Sequence, residues 1–361
     1  MICGDILYCP KRIFATRPRR LFDMDNCLKC TLMSQRSVAV IGLGRSGTTW
    51  ISKVVDSSPS VFYLHEPDYV KTLECVPYVS EADDFEVWER FLKQYVASLP
   101  SACSSRSVLK RPLFPKEFLE GLSARWSYSF FQWRLRLDQL LYQANDRSPA
   151  RHWPKAVDNA QVMLWKSVDL AGSIGTILRA LPDQKVLHAI RHPCGFIDSV
   201  LRGEKKGYLE SVIPASEDAG LFDFALRTKV AQRLGLRIVD WLKFSKVERL
   251  AYFWLCINEQ AAEDGQDYEN YMPVYFDEFC MRPVDNAKRV FAFLGIEFTS
   301  QTERFLATST SKKTNKYFSV SRKSDEVPGK WMQHLEPNDI DTILTITNSM
   351  PRMAEVIAKT S

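Results

Sequence analysis

The stretch Val38–Trp50, VAVIGLGRSGTTW, limits the possible folds more than any other part of the chain. An unbroken apolar run of this kind marks a strand buried on both faces, as in a parallel sheet. It leads into Gly42, Gly44 and Gly47, which let the chain turn sharply into a helix whose first N–H groups point at an anion. The glycines satisfy the GxGxxG spacing of a dinucleotide-binding turn. They also satisfy the Walker spacing, except that Thr48 stands where a Lys belongs. A phosphate or a sulfate is therefore expected on this loop, and the glycines alone do not choose between them.

Beyond residue 36, apolar runs of β type (SVAVIGL, SVFYLHE, SVLKRP, QVMLWKS, KVLHAIR and MPVYFD) alternate with helical patterns. This predicts an α/β fold, a P-loop-like doubly wound parallel sheet flanked by helices. Ligands of such sheets bind beyond the carboxyl ends of the strands, where the strand order reverses. Residues 83–160 form a helical, aromatic-rich insertion expected on the acceptor side. Within it Phe130, Trp133, Leu137, Leu140 and Leu141 repeat at helical spacing. The expected layout is a basic, cysteine-containing arm at 1–35, an α/β domain at 36–335 and a C-terminal helix at 336–361. Pro283 and Gly295 bracket a further helix.

Composition excludes rather than identifies. A chain of 361 residues with 45% hydrophobic content suits a folded globular protein. The net charge of +5 is too small for a nucleic-acid coat. No apolar run approaches a membrane span, so a cytoplasmic location is expected, with the arm read as a poorly ordered tail or an organelle-targeting peptide. Nine scattered cysteines fit reduced thiols. Cys27 and Cys30 have zinc-knuckle spacing, but Cys3 and Cys9 are too far apart to complete it, so no metal is expected.

Candidate site residues stand at the predicted strand ends. KVLHAI runs into Arg191 and VMLW into Lys166, so neither supplies the Asp that holds magnesium in a P-loop NTPase. SVFYLH runs into Glu66, 19 residues after Gly47, near where a Rossmann fold places its ribose-binding acid. An NAD(P)-binding oxidoreductase, or a nucleotide-binding protein without catalysis, is the alternative on these residues.

GRSGTTW followed by SPSVFYLHEPD resembles the first cofactor motif of the sulfotransferases, particularly the carbohydrate and bacterial branch. KVLHAIRHPCGFIDSVL resembles their second motif, matching in Arg191, Pro193 and Ser199, and YFDEFCMRPVDNAKRVFAFLGIEF is similar to their C-terminal strand, turn and helix. The resemblance implies sulfonate transfer from 3'-phosphoadenosine 5'-phosphosulfate (PAPS) to an acceptor hydroxyl on a sugar or small metabolite, without a metal. Arg45, Ser46, Gly47, Thr48 and Thr49 would bind the 5'-phosphosulfate, and Arg191 with Ser199 the 3'-phosphate. Glu66 would be the general base, and Lys166 would stabilise the leaving phosphate or the sulfonate in transit. Arg322 and Lys330 would close over the nucleotide. Strand alternation turns His65, the other candidate base, away from Glu66.

Overall fold

The computed structural model describes residues 36–69, 85–99, 104–108, 110–119, 133, 160–207, 213–311 and 327–360. The N-terminal arm, Arg322 and the helical pattern around Leu137 lie outside these residues.

Five of the six apolar runs are strands: β1 (Arg36–Ile41), β2 (Val61–His65), β3 (Val162–Ser167), β4 (Lys185–Ile190) and β5 (Tyr271–Tyr275). They form one parallel sheet in the order β2-β3-β1-β4-β5. The helices that matter for the site are α1 (Thr48–Asp56), α2 (Phe85–Ser98), α3 (Ser105–Val108), α4 (Ile174–Ala180), α5 (Pro193–Lys205), α6 (Lys246–Gly265), α7 (Phe276–Met281), α8 (Pro283–Leu294), α9 (Ser300–Ser311), α10 (Pro337–Thr347) and α11 (Pro351–Thr360).

The sixth run, SVLKRP, is not a strand. Ser104 and Ser107 each accept a hydrogen bond from the other's backbone N–H, at 3.1 and 2.8 Å, and these bonds cap the single helical turn α3 instead. The C-terminal stretch is two helices and not one, because Pro351 has no N–H to continue α10 and starts α11.

Residues alternate between two apolar layers. Ala39, Ile41, Leu64, Met163 and Trp165 face α2, α4, α5 and α6, while Val38, Val40, Tyr63, Val162 and Leu164 face α1, α8 and α9. The chain leaves β1 for the edge strand β2, returns as β3 beside β1, then crosses to β4 on the other side. The reversal at β1 places the crevice over the loop that follows it. A dinucleotide fold seats its second strand next to its first; here β3 holds that place and β2 is at the edge. The order counts against the NAD(P) reading.

His188 sits wholly inside the sheet, with Nδ1 2.8 Å from the Tyr271 hydroxyl and Nε2 3.2 Å from Asn258 Oδ1. Burial lowers its pKa from 6.5 to about 4. The unfolded chain therefore takes up this proton first, so the contribution to stability is complete above pH 6.5 and is lost as pH falls toward 4. We expect the parent's resistance to denaturant to fall as pH drops through that window. His188→Gln should flatten the dependence by ~3 kcal/mol, read from the pH series of unfolding free energies.

Candidate functional site

The loop after β1 is held in a shape that few residues adopt. Gly42 lies against β4 so closely that a Cβ there would stand 2.3 Å from the Ala189 carbonyl oxygen. Gly47 has φ 79°, and a Cβ there would meet the Phe276 ring at 2.0 Å. Between them Arg45 takes φ 76°, which costs a side-chain-bearing residue roughly 1–2 kcal/mol. α1 starts at Thr48 with no acidic residue in its first turn, so the positive end of its dipole is left uncancelled. Thr48 is buried and Thr49 half-buried at that end.

The residues at the end of β4 converge on this loop. Arg191 donates from a terminal guanidinium nitrogen to the Arg45 carbonyl at 3.1 Å, and Arg45 Nε donates to Ser199 Oγ at 3.1 Å. Positions about 150 residues apart in the chain thus form one basic cluster. Arg191 is itself positioned: Trp254 Nε1 donates to its carbonyl at 3.1 Å, and Asp277 accepts the next backbone N–H, of His192, at 2.8 Å. The Phe276 ring centroid lies 5.3 Å from the Arg191 guanidinium carbon. Two buried atoms here, Ser46 Oγ and Arg191 Nε, make no hydrogen bond among the described residues. Unpaired buried donors are expensive, and an anion is the partner that suits both.

A second cluster lies on the β2 and β3 side of the same edge. The ladder pairs Lys166 with Val40, two residues before Gly42. Lys166 Nζ donates to Glu66 Oε1, and an Arg106 terminal nitrogen lies 3.3 Å from Glu66 Oε2. Burial pushes the Glu66 carboxyl pKa up, but Lys166, with help from His65 and Arg106, outweighs that and holds it well below the usual range. Two residues on, Asp68 accepts from Ser167 Oγ at 2.5 Å and from the Tyr95 hydroxyl at 3.2 Å. Burial and the neighbouring Asp169 push Asp68 up to about 7.

His65 does not turn away from Glu66 as strand alternation requires. β2 stops at His65, and Glu66 leaves it with φ 48°, which swings the carboxylate back to 3.8 Å from His65 Nε2. Burial, with Lys166, Lys110 and Arg106 nearby, lowers the His65 pKa well below 6.5 and leaves the ring neutral.

Lys330 is exposed at the start of the 3-10 turn Lys330–Gln333. The turn is seated by Trp331, which stacks on His192 at 4.9 Å, and by His334, 3.2 Å from Asp198 of α5. The sequence reading missed Arg106, Trp254, Phe276 and Asp277. Asp277 carried a readable signal, an acid just past an apolar run; Arg106 carried none, because it reaches Glu66 only through the fold.

Among the described residues, no three His, Cys, Asp or Glu side chains are grouped to hold a metal ion, and no helix is long and apolar enough to cross a membrane.

The family model described as "Sulfotransferase family" matches residues 37–212. No curated protein sequence matches the chain. Solved structures similar to it include the sulfotransferase domain of the Synechococcus olefin synthase, at 14% identity over 88% of this chain and 96% of that one, with a TM-score of 0.39. A Mycobacterium avium sulfotransferase shares 16% identity over 87% of this chain and 80% of its own, also with a TM-score of 0.39. A mouse sulfotransferase complexed with PAP shares 12% over 90% and 89%, with the same score.

The loop geometry is open to test. Gly47→Ala, with its clash and positive φ, should cost about 2 kcal/mol or more and abolish the rise in melting temperature that inorganic sulfate gives the parent. Gly44→Ala, where a Cβ meets nothing within 4 Å, should leave both measurements near the parent's.

Proposed function

We propose that the chain, which matches the sulfotransferase family model over residues 37–212, transfers a sulfonate group from PAPS to the hydroxyl of a sugar or other small acceptor. The observation that carries this reading is the convergence of Arg45, Arg191 and Ser199 at the end of the β1 loop. A single phosphate needs only the loop. A donor bearing a second phosphate explains why a second arginine and a hydroxyl from the next helix are brought to the same place.

In this reading the loop Arg45–Thr49 holds the 5'-phosphosulfate, and Arg191 with Ser199 holds the 3'-phosphate. The fit rests on Ser46 Oγ and Arg191 Nε, the buried donors lacking a partner. PAPS supplies an activated sulfonate whose leaving group is a phosphate. One bond forms between the acceptor oxygen and sulfur, and the bond from sulfur to the 5'-phosphate oxygen breaks. The acceptor proton goes to Glu66, and the charge left on the phosphate goes to the loop donors and Arg45. Lys166 keeps Glu66 a weak base for as long as the two are paired. Attraction of that ammonium to an anionic donor raises the carboxylate's basicity, so base strength is tied to donor occupancy. Lys330, one residue before Trp331, is assigned to the rim of the nucleotide site. Arg322 keeps the same assignment from sequence alone.

Lys166's hold on Glu66 also favours a second reading, a nucleotide-binding protein without turnover. The two separate on one experiment, incubation with radiolabelled PAPS and a panel of hydroxyl acceptors. Transfer supports the enzyme, whereas tight nucleotide binding with no transfer to any acceptor supports the alternative.

Two variants test the assignments. Arg191→Ala should weaken binding of 3',5'-adenosine bisphosphate about tenfold or more in calorimetry, and weaken adenosine 5'-phosphosulfate, which lacks the 3'-phosphate, clearly less. Glu66→Gln should lower turnover about 100-fold or more with nucleotide affinity nearly kept.

A further inference from the structure

Tyr63 and His65 lie on the same face of β2, and each is 4% exposed. The Tyr63 hydroxyl is 2.9 Å from His65 Nδ1, and the far nitrogen of the ring, Nε2, is 3.8 Å from Glu66 Oε2. Each contact has a chemical direction. A phenol is the better donor and an imidazole nitrogen the better acceptor, so the hydroxyl donates to Nδ1. A neutral ring that accepts at Nδ1 carries its proton on Nε2, the atom that faces the carboxylate. At 3.8 Å this N–H meets Glu66 as an oriented dipole and not as a full hydrogen bond.

We propose that Tyr63 and His65 are a positioning pair, in which Tyr63 fixes the tautomer of His65 so that an N–H, and never a lone pair, is presented to the carboxylate of Glu66.

The proposal rests on Glu66 as the base, and it removes His65 from competition for that role, since His65 has no free lone pair on the side facing Glu66. It also accounts for the unusual backbone at Glu66. A non-glycine residue at φ 48° holds its place only when its surroundings fix it. The Glu66 N–H donates to the Lys166 carbonyl at 3.0 Å, and the carboxylate is fixed by Lys166 on one oxygen and by Arg106 and His65 on the other. The charged groups around His65 are Lys166 from β3, Arg106 from α3, Lys110 and Glu66 itself. Three of the four are cationic, which keeps a second positive charge off the ring. If Tyr63 is removed, the ring is free to move its proton to Nδ1 and turn a lone pair toward the carboxylate, which then tilts away from the acceptor.

The first test needs no catalysis. The chain has five histidines, so the ring-nitrogen NMR signals of His65 can be assigned by their loss in His65→Gln. The expected result is a neutral ring protonated on Nε2 throughout about pH 5.5–8. An Nδ1-protonated ring, or one that titrates in that range, overturns the proposal.

The second test is kinetic. Tyr63→Phe should lower kcat about three- to tenfold and leave the KM for PAPS unchanged. His65→Gln, which keeps an N–H near the position of Nε2, should retain more activity than His65→Leu. Wild-type kcat in Tyr63→Phe, or equal rates for the two His65 variants, overturns the proposal. A purely structural role would move the melting temperature and not the rate per folded molecule. If Glu66→Gln is inactive while His65→Leu turns over at the parent rate, the pair fails and the base reading stands. If Glu66→Gln keeps the parent's activity, the base reading fails, and the ring-nitrogen spectrum still decides the tautomer.

Discussion

The close approach of β1 to β4 at Gly42 is the constraint on which the rest of the site depends. With the Ala189 carbonyl 2.3 Å from where a Cβ would be, only hydrogen fits, and the loop is drawn over the end of β4. That approach lets Arg191 reach the Arg45 carbonyl and Arg45 reach Ser199. It also explains the left-handed backbone at Arg45 and Gly47: a loop pinned at its start and committed to a helix at Thr48 has few conformations left. The strain is localised where an anion and the end of a helix dipole can offset it.

At the C-terminal end of α1 the protein buries more charge than stability favours. Lys53, Lys116 and Asp56 form one buried group, with Asp56 Oδ2 2.6 Å from Lys53 and Oδ1 2.8 Å from Lys116. Burial pushes the Asp56 pKa up, but the two ammonium groups outweigh it and hold the carboxyl below its ordinary value. Lys116 also donates to the Ser58 carbonyl at 3.1 Å, so the segment before it is tied to the end of α1. Charge taken out of water seldom adds net stability, but it fixes one geometry, since removing either partner strands the other. Arg106, the second cation on Glu66, stands ten residues before Lys116, on α3.

The sheet was legible in the sequence because burial on both faces leaves uninterrupted apolar runs, and five of six such runs are strands. The exception, SVLKRP, shows the limit of that signal. Two serines that bond each other's backbone override a short apolar pattern, and that competition depends on geometry that composition does not carry. The strand-end residues Glu66, Lys166 and Arg191 were legible as candidates because a doubly wound sheet gathers its chemistry at one edge. Their partners were not. Whether Glu66 pairs with Arg45 or Lys166 depends on which strand lies between β1 and β2, and only the strand order answers that. The orientation of His65 was misread for a related reason, since period-two alternation holds only while the strand continues, and β2 stops one residue before Glu66.

The strand order also sets the two clusters apart. Arg45, Arg191 and Ser199 gather on the β4 side of β1 and are bound to one another, so that cluster is basic and suited to fixed anions. Glu66 and Lys166 gather on the β3 side, where Lys166 and Arg106 outnumber the one carboxylate and keep it poorly basic. In the proposed function a phosphosulfate on the loop after β1 would lie between the two clusters, since β1 stands between β3 and β4. An anion there adds negative charge near Lys166 and weakens that residue's preference for Glu66. With Glu66 as the proposed base, a donor in place would make the carboxylate more basic, and no unpaired base would stand idle in the crevice without one. The neutral imidazole behind Glu66 fits the same logic. A charged ring there would hold the carboxylate as Lys166 does, and no donor could release it, whereas a neutral N–H orients the carboxylate without lowering its basicity as far.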